Sequence, residues 1–143
     1  MKKIKKWILK FKTPKIIGII ILCIAIISFV IYIFTPNINK LPEGSKISSH
    51  DSPDGKHTIN MYLIMGEHAT VADSIRGELV NNTNNKKKNI YWRYAENYAD
   101  VEWVNNDTVI INGKKLNIHK DVYNWKKDDN WEKERMEGLE NLE

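Results

Sequence analysis

A run of nineteen uncharged and mostly apolar residues, from Ile16 to Phe34, is the strongest constraint on this chain. At about 1.5 Å of rise per residue, a helix of this length just spans a bilayer core of roughly 30 Å. A helix also satisfies every backbone N–H and C=O within the segment, as hydrocarbon requires. Thr13-Pro14 is typical of a helix start, and Thr35-Pro36 of a helix stop. The sequence therefore predicts one N-terminal transmembrane helix over residues 16–34.

The positive charge is concentrated before this segment. Residues 1–15 contain seven Lys and no acidic residue, while residues 35–143 contain fifteen Lys or Arg and eighteen Asp or Glu; +7 and −3 give the formal net charge of +4. The positive-inside rule then predicts a cytoplasmic flank over residues 1–15 and an extracytoplasmic C-terminal part. Because that part is not basic, it lacks the charge that contacts with phosphates require, and no nucleic acid partner is predicted.

The segment is interpreted as an uncleaved signal-anchor in the cell membrane. It is longer than the roughly 7–15 apolar residues of a cleaved signal peptide, and no Ala-x-Ala-like site follows it. The basic flank either lies on the membrane as an amphipathic helix or is disordered and only sets the orientation. Cys23 follows Leu22 rather than a small residue, so it is interpreted as a small hydrophobe and not as a lipidation site.

The chain after the helix predicts a linker and then a β domain. Residues 35–45 hold Pro36, Pro42 and Gly44 among polar residues, which is typical of a linker that holds a domain off the bilayer. From residue 46 the apolar residues recur with a period of two, as in strands with one apolar face. The predicted fold over residues 46–120 is a small all-β domain, an antiparallel meander or sandwich of about six strands.

Two turns in this region have specific signatures. Ser52-Pro53-Asp54-Gly55 predicts a tight turn, because Pro presets φ and Gly supplies a positive φ. Asn112-Gly113 predicts a type I′ hairpin turn, which places Val109 opposite Leu116 and Ile111 opposite Lys114. Both turns fit the all-β interpretation.

Two segments are ambiguous. Residues 70–80 carry helix signals at a spacing of four, but Ile75, Gly77 and Leu79 also share a strand face, and a strand is predicted because strands flank the segment. Residues 121–143 lose the alternation and predict a charged tail, either disordered or a short helix. The residues that would share one face of that helix are Trp131, Arg135, Leu139 and Leu142.

No catalytic, cofactor or metal pattern is found, and a non-catalytic binding domain is predicted. No Ser lies in a Gly-x-Ser-x-Gly turn, and the Asp51 and Asp54 region lacks the spacing of a calcium loop. The histidines lack the spacing of zinc ligands; they are His50, His57, His68 and His119. The acidic residues Glu96, Asp100 and Glu102 suit acid–base chemistry only if two carboxylates face each other across a cleft. A cell-envelope hydrolase using Glu96, Asp100 or a His is therefore the alternative.

Aromatic residues are dense between residues 91 and 103. Alternation places Trp92, Tyr94 and Trp103 in phase with the apolar strand positions and predicts that they belong to the core. Tyr91 and Tyr98 would then face solvent, where aromatic rings can stack on sugars. A glycan-binding module is thus a further alternative, and the predicted partners are the lipid bilayer and an envelope protein or cell-wall glycan.

Four motifs carry a resemblance to a known family. They are Ser52-Pro53-Asp54-Gly55-Lys56, Ile75-Arg76-Gly77-Glu78-Leu79, Lys87-Lys88-Asn89-Ile90-Tyr91-Trp92, and Val101-Glu102-Trp103 through Ile111-Asn112-Gly113. In these motifs, and in their order, the chain resembles a family of small membrane-anchored proteins of Gram-positive bacteria known only as a domain of unknown function. The resemblance covers residues 47–120 and implies a single-pass anchor and an exported domain, but no activity. Glu67-His68 departs from the family pattern, which has Gly-Gly there.

Overall fold

The computed structural model describes residues 2–34 and 37–140 of the 143 residues, with side chains over 16–33 and 37–139. The chain forms two compact units that divide between residues 36 and 37. Each unit has a distinct composition, the first dominated by one apolar helix and the second by β-strands.

The first unit is one continuous helix, α1 (Lys2–Phe34). Pro14 lies inside it, so the predicted helix start at Thr13-Pro14 is wrong; a proline removes one backbone hydrogen bond, and the helix formers on both sides keep the segment helical. The helix is described as far as Phe34, and the predicted stop at Thr35-Pro36 lies outside the described residues. Residues Ile16–Ile33 have a mean hydropathy of 3.2, so by length and composition this helix could cross a membrane.

Residues 37–140 of the second unit form eight strands and three short helical segments. A 3₁₀ turn (Ile38–Lys40) leads into β1 (Ser45–Asp51), β2 (His57–Ile64), β3 (Ser74–Asn81), β4 (Lys86–Tyr94), β5 (Val101–Asn105), β6 (Thr108–Ile111), β7 (Lys114–Asn117) and β8 (Tyr123–Asn124), followed by a second 3₁₀ turn (Trp125–Lys127) and α2 (Trp131–Glu140). The strand predicted over residues 70–80 is confirmed from Ser74 onward as β3, whereas residues 70–73 are not in a strand.

The strands form two sheets that share one hydrophobic core. The five-stranded sheet has the order β1-β2-β3-β4-β8 and the three-stranded sheet the order β5-β6-β7. All pairings are antiparallel except β4 with β8. Both sheets supply the core: Ile59, Met61, Ile75, Leu79, Ile90, Tyr91, Val109, Ile111, Leu116 and Ile118. The predicted small all-β domain after an apolar helix is confirmed.

Both predicted turns are confirmed. Asn112 and Gly113 have φ values of 45° and 77°, as a type I′ turn requires, and Val109 pairs with Leu116. Gly55 has a φ of 68° and donates its N–H to the Ser52 carbonyl at 2.8 Å. These two turns set the register of the strands that they join.

A β-bulge in β4 changes which aromatic side chains reach the core. Gly77 pairs with Tyr91 and Glu78 with Asn89, so Ile90 is an extra residue in β4. Ile90 and Tyr91 are consequently both fully buried, and the predicted solvent exposure of Tyr91 is wrong. The bulge inverts the phase of the residues that follow it.

The inverted phase also corrects the predicted core. Trp92 and Tyr94 pack against Trp125 instead of the core cluster, so their predicted place in the core is wrong. Trp103 does pack against the core, and its indole N–H donates to the His50 carbonyl at 3.2 Å. Alternation therefore predicted the strand face correctly up to Ile90 and wrongly for the three aromatic residues that follow, Tyr91, Trp92 and Tyr94.

The segment predicted as a spacer packs on the five-stranded sheet from residue 37 onward. The Asn89 amide donates to the Ile38 carbonyl at 2.7 Å, and the Arg76 guanidinium donates to the Glu43 carbonyl at 2.6 Å. Arg76 is buried, so its donors need acceptors, and the backbone of this segment supplies one. Residues 37–44 thus belong to the β unit.

Candidate functional site

The C-terminal segment, residues 121–140, folds onto the sandwich and builds the candidate site. In β8, Tyr123 pairs with Tyr91 and Asn124 pairs with Trp92. The rings of Tyr91 and Tyr123 are stacked with centroids 5.1 Å apart. Helix α2 corresponds to the short helix that the sequence allowed in this segment, whereas β8 and its pairing extend the folded unit beyond residue 120.

Five charged side chains meet where this segment contacts the sheets, and we call them the charged junction: Arg93, Glu96, Lys114, Asp128 and Glu134. The Lys114 Nζ lies 3.0 Å from Asp128 Oδ2 and 2.8 Å from Glu134 Oε1. The Arg93 Nη2 lies 3.2 Å from Glu134 Oε2, and its Nε lies 3.5 Å from Glu96 Oε1. Both cations therefore bridge two carboxylates, and α2 is tied to β4 and β7.

Two tyrosine hydroxyls complete the junction. Tyr91 donates to Glu96 Oε2 at 2.8 Å, and Tyr123 donates to Asp128 Oδ2 at 2.9 Å. Glu96 is buried, so an unpaired carboxylate there would be costly. The hydroxyl of Tyr91 and the guanidinium of Arg93 together compensate that burial.

The junction contains most of the groups whose pKa values are shifted. Burial raises the pKa of Glu96, although hydrogen bonds from Asn112 and Tyr91 and the charge of Arg93 oppose the rise. Burial also raises the pKa of Tyr91, and the neighbouring carboxylate of Glu96 adds to the effect. Shifted pKa values that cluster in one place mark a candidate functional site, and structural ion-pair networks shift them in the same way.

Three further groups of the junction are held in their charged forms. Burial disfavours the charge of Lys114, but hydrogen bonds to Glu134 and Asp128 outweigh it and raise the Lys114 pKa. Burial likewise opposes ionisation of Asp128, but hydrogen bonds from Lys114 and Tyr123 outweigh it, and the Asp128 pKa is lowered. Burial also disfavours the charge of Arg93, but Glu96 and the other neighbouring acidic groups together outweigh it, so the Arg93 pKa is raised.

A cleft of about 400 Å³ lies between the end of β4 and α2, and we call it the α2 cleft. Its lining includes Arg93, Glu96, Tyr98, Trp131, Glu134 and Arg135. Tyr98 is 60% exposed, so its ring is accessible from solvent. The indole N–H of Trp131 donates to the Tyr94 carbonyl at 3.2 Å, which fixes one wall of the cleft.

A second recess, the aromatic groove, has a volume of about 420 Å³. It is lined by the outward-facing aromatic side chains Trp92, Tyr94 and Trp125, with Met65 and Val71 at exposed positions. Tyr94 stacks on Trp125 with centroids 5.1 Å apart. Tyr94 lines the α2 cleft as well, so the two recesses adjoin.

Of the acidic candidates, only Glu96 lies in the α2 cleft. Asp100 and Glu102 are exposed, and the backbone N–H of Asp100 donates to Asn112 Oδ1 at 2.6 Å. The second carboxylate in the cleft is Glu134, which the sequence analysis did not single out. The cleft therefore brings together Glu96 from the hydrolase hypothesis and Tyr98 from the glycan-binding hypothesis. Asp100 and Glu102 are not in its lining.

Among the described residues, no histidine lines the α2 cleft, whereas His68 lines the aromatic groove. His119 Nε2 lies 2.8 Å from Asp107 Oδ1, and its ring is 6.0 Å from the ring of His57. Within residues 2–34 and 37–140, no group of three His, Cys, Asp or Glu side chains has the arrangement of a metal site. Asp54 accepts the Ser52 hydroxyl at 2.7 Å and stabilises the turn.

Sequence reasoning missed the aromatic groove and the charged junction. Two tryptophans, Trp125 and Trp131, stand in an otherwise charged segment, and they were the available signal that residues 121–140 pack on the domain. Their ring centroids are 4.6 Å apart, and both contact Tyr94. Large aromatic side chains seldom stay in solvent when a folded surface is close by.

Together these features define a protein with an N-terminal apolar helix and a two-sheet β domain that is closed by a C-terminal helix. The family described as "Family of unknown function (DUF5412)" matches residues 11–128, and the chain belongs to this family. The match extends from within α1 to Asp128 and ends before α2. No curated protein and no solved structure matches the chain. The predicted membership of a family of unknown function is confirmed.

Proposed function

We propose that this is a single-pass membrane protein that presents a non-catalytic binding domain outside the cytoplasmic membrane. The apolar window of α1 supports the membrane location. The seven Lys that precede this window support a cytoplasmic N-terminus. The signal-anchor stays uncleaved, so the β domain remains tethered to the membrane of a Gram-positive cell.

The binding site in this proposal is the α2 cleft. One observation carries it: the cleft joins the exposed ring of Tyr98 and the indole of Trp131 to a set of fixed polar groups. Its volume of about 400 Å³ lies within the range of small-ligand sites, roughly 300–1,000 Å³. Aromatic rings beside polar groups suit a sugar, so the proposed ligand is a cell-wall glycan, with an envelope protein as the competing partner.

An envelope hydrolase is the second candidate, and the burial and raised pKa of Glu96 in the cleft favour it. The contacts of Glu96 and Glu134, the two carboxylates of the cleft, favour a binding role over hydrolysis. Glu96 and Glu134 both contact the guanidinium of Arg93. Glycosidase carboxylates lie on either side of the scissile bond with room for sugar or water between them. If the domain cleaves cell-wall glycan and Glu96→Gln abolishes the cleavage, the non-catalytic proposal fails.

The orientation is tested by cysteine labelling in intact cells. The single native cysteine is first removed with Cys23→Ser, and Val104→Cys, at a position that is 48% exposed, places a thiol on the β domain. A membrane-impermeant maleimide is expected to label this thiol in intact cells. The matched control, Lys5→Cys in the basic flank, is expected to react only after lysis, and the reverse pattern would overturn the proposed orientation.

Binding is tested by sedimentation of the full-length protein, in detergent micelles, with purified cell walls. We expect Tyr98→Ala to weaken retention by about tenfold, since one lost stacking contact of this kind costs on the order of 1.4 kcal/mol. The control Val104→Ala removes an exposed side chain outside the cleft and should leave retention unchanged. Equal retention of Tyr98→Ala and the wild type would remove the α2 cleft as the wall-binding site.

A further inference from the structure

Three shielded N–H donors in the two recesses have no acceptor among the described residues. They are the Nε of Arg135 in the α2 cleft and the indole nitrogens of Trp92 and Trp125 in the aromatic groove. A shielded donor without a partner is costly, and native structures contain few. Three in adjoining recesses indicate that a ligand supplies oxygen acceptors there.

Arg135 is the clearest of the three because it is a cation without a carboxylate partner among residues 37–139. No carboxylate of residues 37–139 lies within 4.0 Å of its guanidinium, whose polar contact is with the sulfur of Met136 at 3.8 Å. Its Cζ lies 5.5 Å from the centroid of the Trp131 ring. Arg135 thus carries a donor that has no acceptor among the described residues and lies beside an aromatic ring.

The charges around the cleft favour an uncharged ligand. Two cations and three carboxylates make the charged junction −1, and Arg135 brings the sum to zero. The remainder of the chain after residue 34 is also net acidic, at −3. A carboxylate or phosphate that approached Arg135 would also approach Glu96 and Glu134, whereas a neutral carbonyl would satisfy the Arg135 donor without that repulsion.

The position of Tyr94 makes the two recesses one extended surface. Tyr94 lines both recesses, stacks on Trp125 and contacts Trp131 at a centroid distance of 6.1 Å. Its hydroxyl accepts the Ala72 N–H at 2.9 Å, so the ring is fixed. A row of aromatic rings with interspersed N–H donors matches a linear chain of sugars, in which ring faces alternate with oxygen acceptors.

We propose that the α2 cleft and the aromatic groove together bind a neutral glycan chain of N-acetylated sugars. An acetamido carbonyl accepts from Arg135, and neighbouring sugar rings pack on Tyr98, Trp131 and the groove. This inference rests on the proposed function, because it names the ligand class of the same surface.

The test uses two oligosaccharides that differ in their acetamido groups, chitotriose and cellotriose. Each is titrated into the full-length protein in detergent micelles, with tryptophan fluorescence and calorimetry as readouts. We expect chitotriose to bind at least about tenfold more tightly, since the loss of one well-formed hydrogen bond costs about that factor. Equal affinities, or no binding of either sugar, would overturn the proposal.

Two variants on α2 test whether Arg135 causes the preference for chitotriose. Arg135→Ala is expected to remove most of the preference for chitotriose, while Lys133→Ala, an exposed change on the same helix, is expected to retain it. Muramic acid in its N-acetylated form adds a carboxylate to the sugar and is expected to bind more weakly than N-acetylglucosamine. Tighter binding of the acidic sugar would contradict the neutral class.

Chain length tests whether the groove takes part. We expect the affinity to rise from chitobiose to chitohexaose, and Met65→Ala to lower the affinity for chitohexaose but not for chitobiose. No dependence on length would confine the ligand to the cleft and overturn the extended surface. If purified walls are retained through Tyr98 while no chito-oligosaccharide binds or competes, this inference fails and the proposed function stands.

Discussion

The sandwich core and the charged junction are stabilised in opposite ways. The core joins two sheets through ten buried side chains, nine of them aliphatic, among which Ile59 and Ile111 are completely buried. The junction attaches α2 through ion pairs and tyrosine hydroxyls, with Lys114 and Glu134 still partly exposed. Burial of apolar side chains stabilises the fold regardless of which apolar side chains are in contact. A buried charge stabilises the fold only while its oppositely charged partner is present. The attachment of α2 therefore depends on complementary charges, whereas the packing of the two sheets depends on the volume of the buried side chains.

The largest effect is expected in the core. Ile59→Ala removes a completely buried side chain between two neighbouring strands, and we expect it to lower the free energy of unfolding by about 4 kcal/mol. Urea unfolding of the full-length protein in micelles, followed by tryptophan fluorescence, measures this change. Met65→Ala, at a position that is 67% exposed, should stay within about 0.5 kcal/mol. Similar losses in both variants would mean that the two sheets do not share a packed core.

The junction should respond next. Lys114→Ala leaves Asp128 and Glu134 without their shared cation, and we expect a loss of about 2 kcal/mol, below the value for a fully buried pair because Lys114 is partly exposed. Lys115→Ala, the neighbouring and exposed position in β7, is the matched control. If the two lysine variants unfold at the same urea concentration, the junction contributes nothing to stability.

Tyr91 belongs to both regions, and its hydroxyl separates their contributions. Tyr91→Phe keeps the ring in the core but removes the donor to Glu96, and we expect a loss of about 1.5 kcal/mol. Tyr62→Phe, whose hydroxyl makes a long 3.4 Å contact to Glu78, should cost less. A wild-type stability for Tyr91→Phe would show that this buried hydrogen bond is not required.

The smallest effect is a dependence on pH. The pKa of Glu96 in the folded state lies above its ordinary value of 4.5, so as the pH falls the folded state binds a proton at Glu96 before the unfolded state does. The resulting stabilisation is complete below pH 4.5 and is lost as the pH rises through the folded pKa. Asp128, with a pKa lowered below 3.8, acts in the opposite direction and only under more acidic conditions.

Glu96→Gln has no titratable group at this position, so its free energy of unfolding should vary less with pH. We expect the unfolding free energy of the wild type, relative to Glu96→Gln, to decrease as the pH rises from 4.5 towards neutrality. Urea unfolding at a series of pH values measures the difference. A difference that is constant, or that increases with pH, would contradict the raised pKa.

The sheets were predictable wherever local chemistry decides the structure. Asn112-Gly113 adopts its turn because both positions need a positive φ, and the register of Val109 and Leu116 follows directly. The bulge at Ile90 was not predictable from the alternation within β4, because it depends on the neighbouring strand, where Gly77 lies opposite Tyr91. A Cβ at Gly77 would lie 3.0 Å from the Cβ of Tyr91, so the close approach of the two strands here depends on the missing side chain of the glycine.

The site was predictable only in part. Glu96 and Tyr98 were singled out from the sequence, but Arg93 and Glu134 pair across 41 positions, and Lys114 and Glu134 across 20. Charges whose partners are so distant in the chain look like a solvated tail when they are read locally. The pairing of β8 with β4 also joins residues that are distant in the chain, as Tyr91 with Tyr123. Only two residues on each strand take part, which is too few for a recognisable strand pattern.

Amide hydrogen exchange across residues 121–140 tests most directly whether this segment folds on the sandwich and forms the α2 cleft. In the full-length protein in micelles, we predict strong protection for β8 and for the first turns of α2, where the Glu134 N–H donates to the Asn130 carbonyl at 3.0 Å. Lys114→Ala should accelerate exchange in α2 and leave β2 and β3 protected. Exchange of the whole segment at the rate of an unstructured peptide in the wild type would contradict the account.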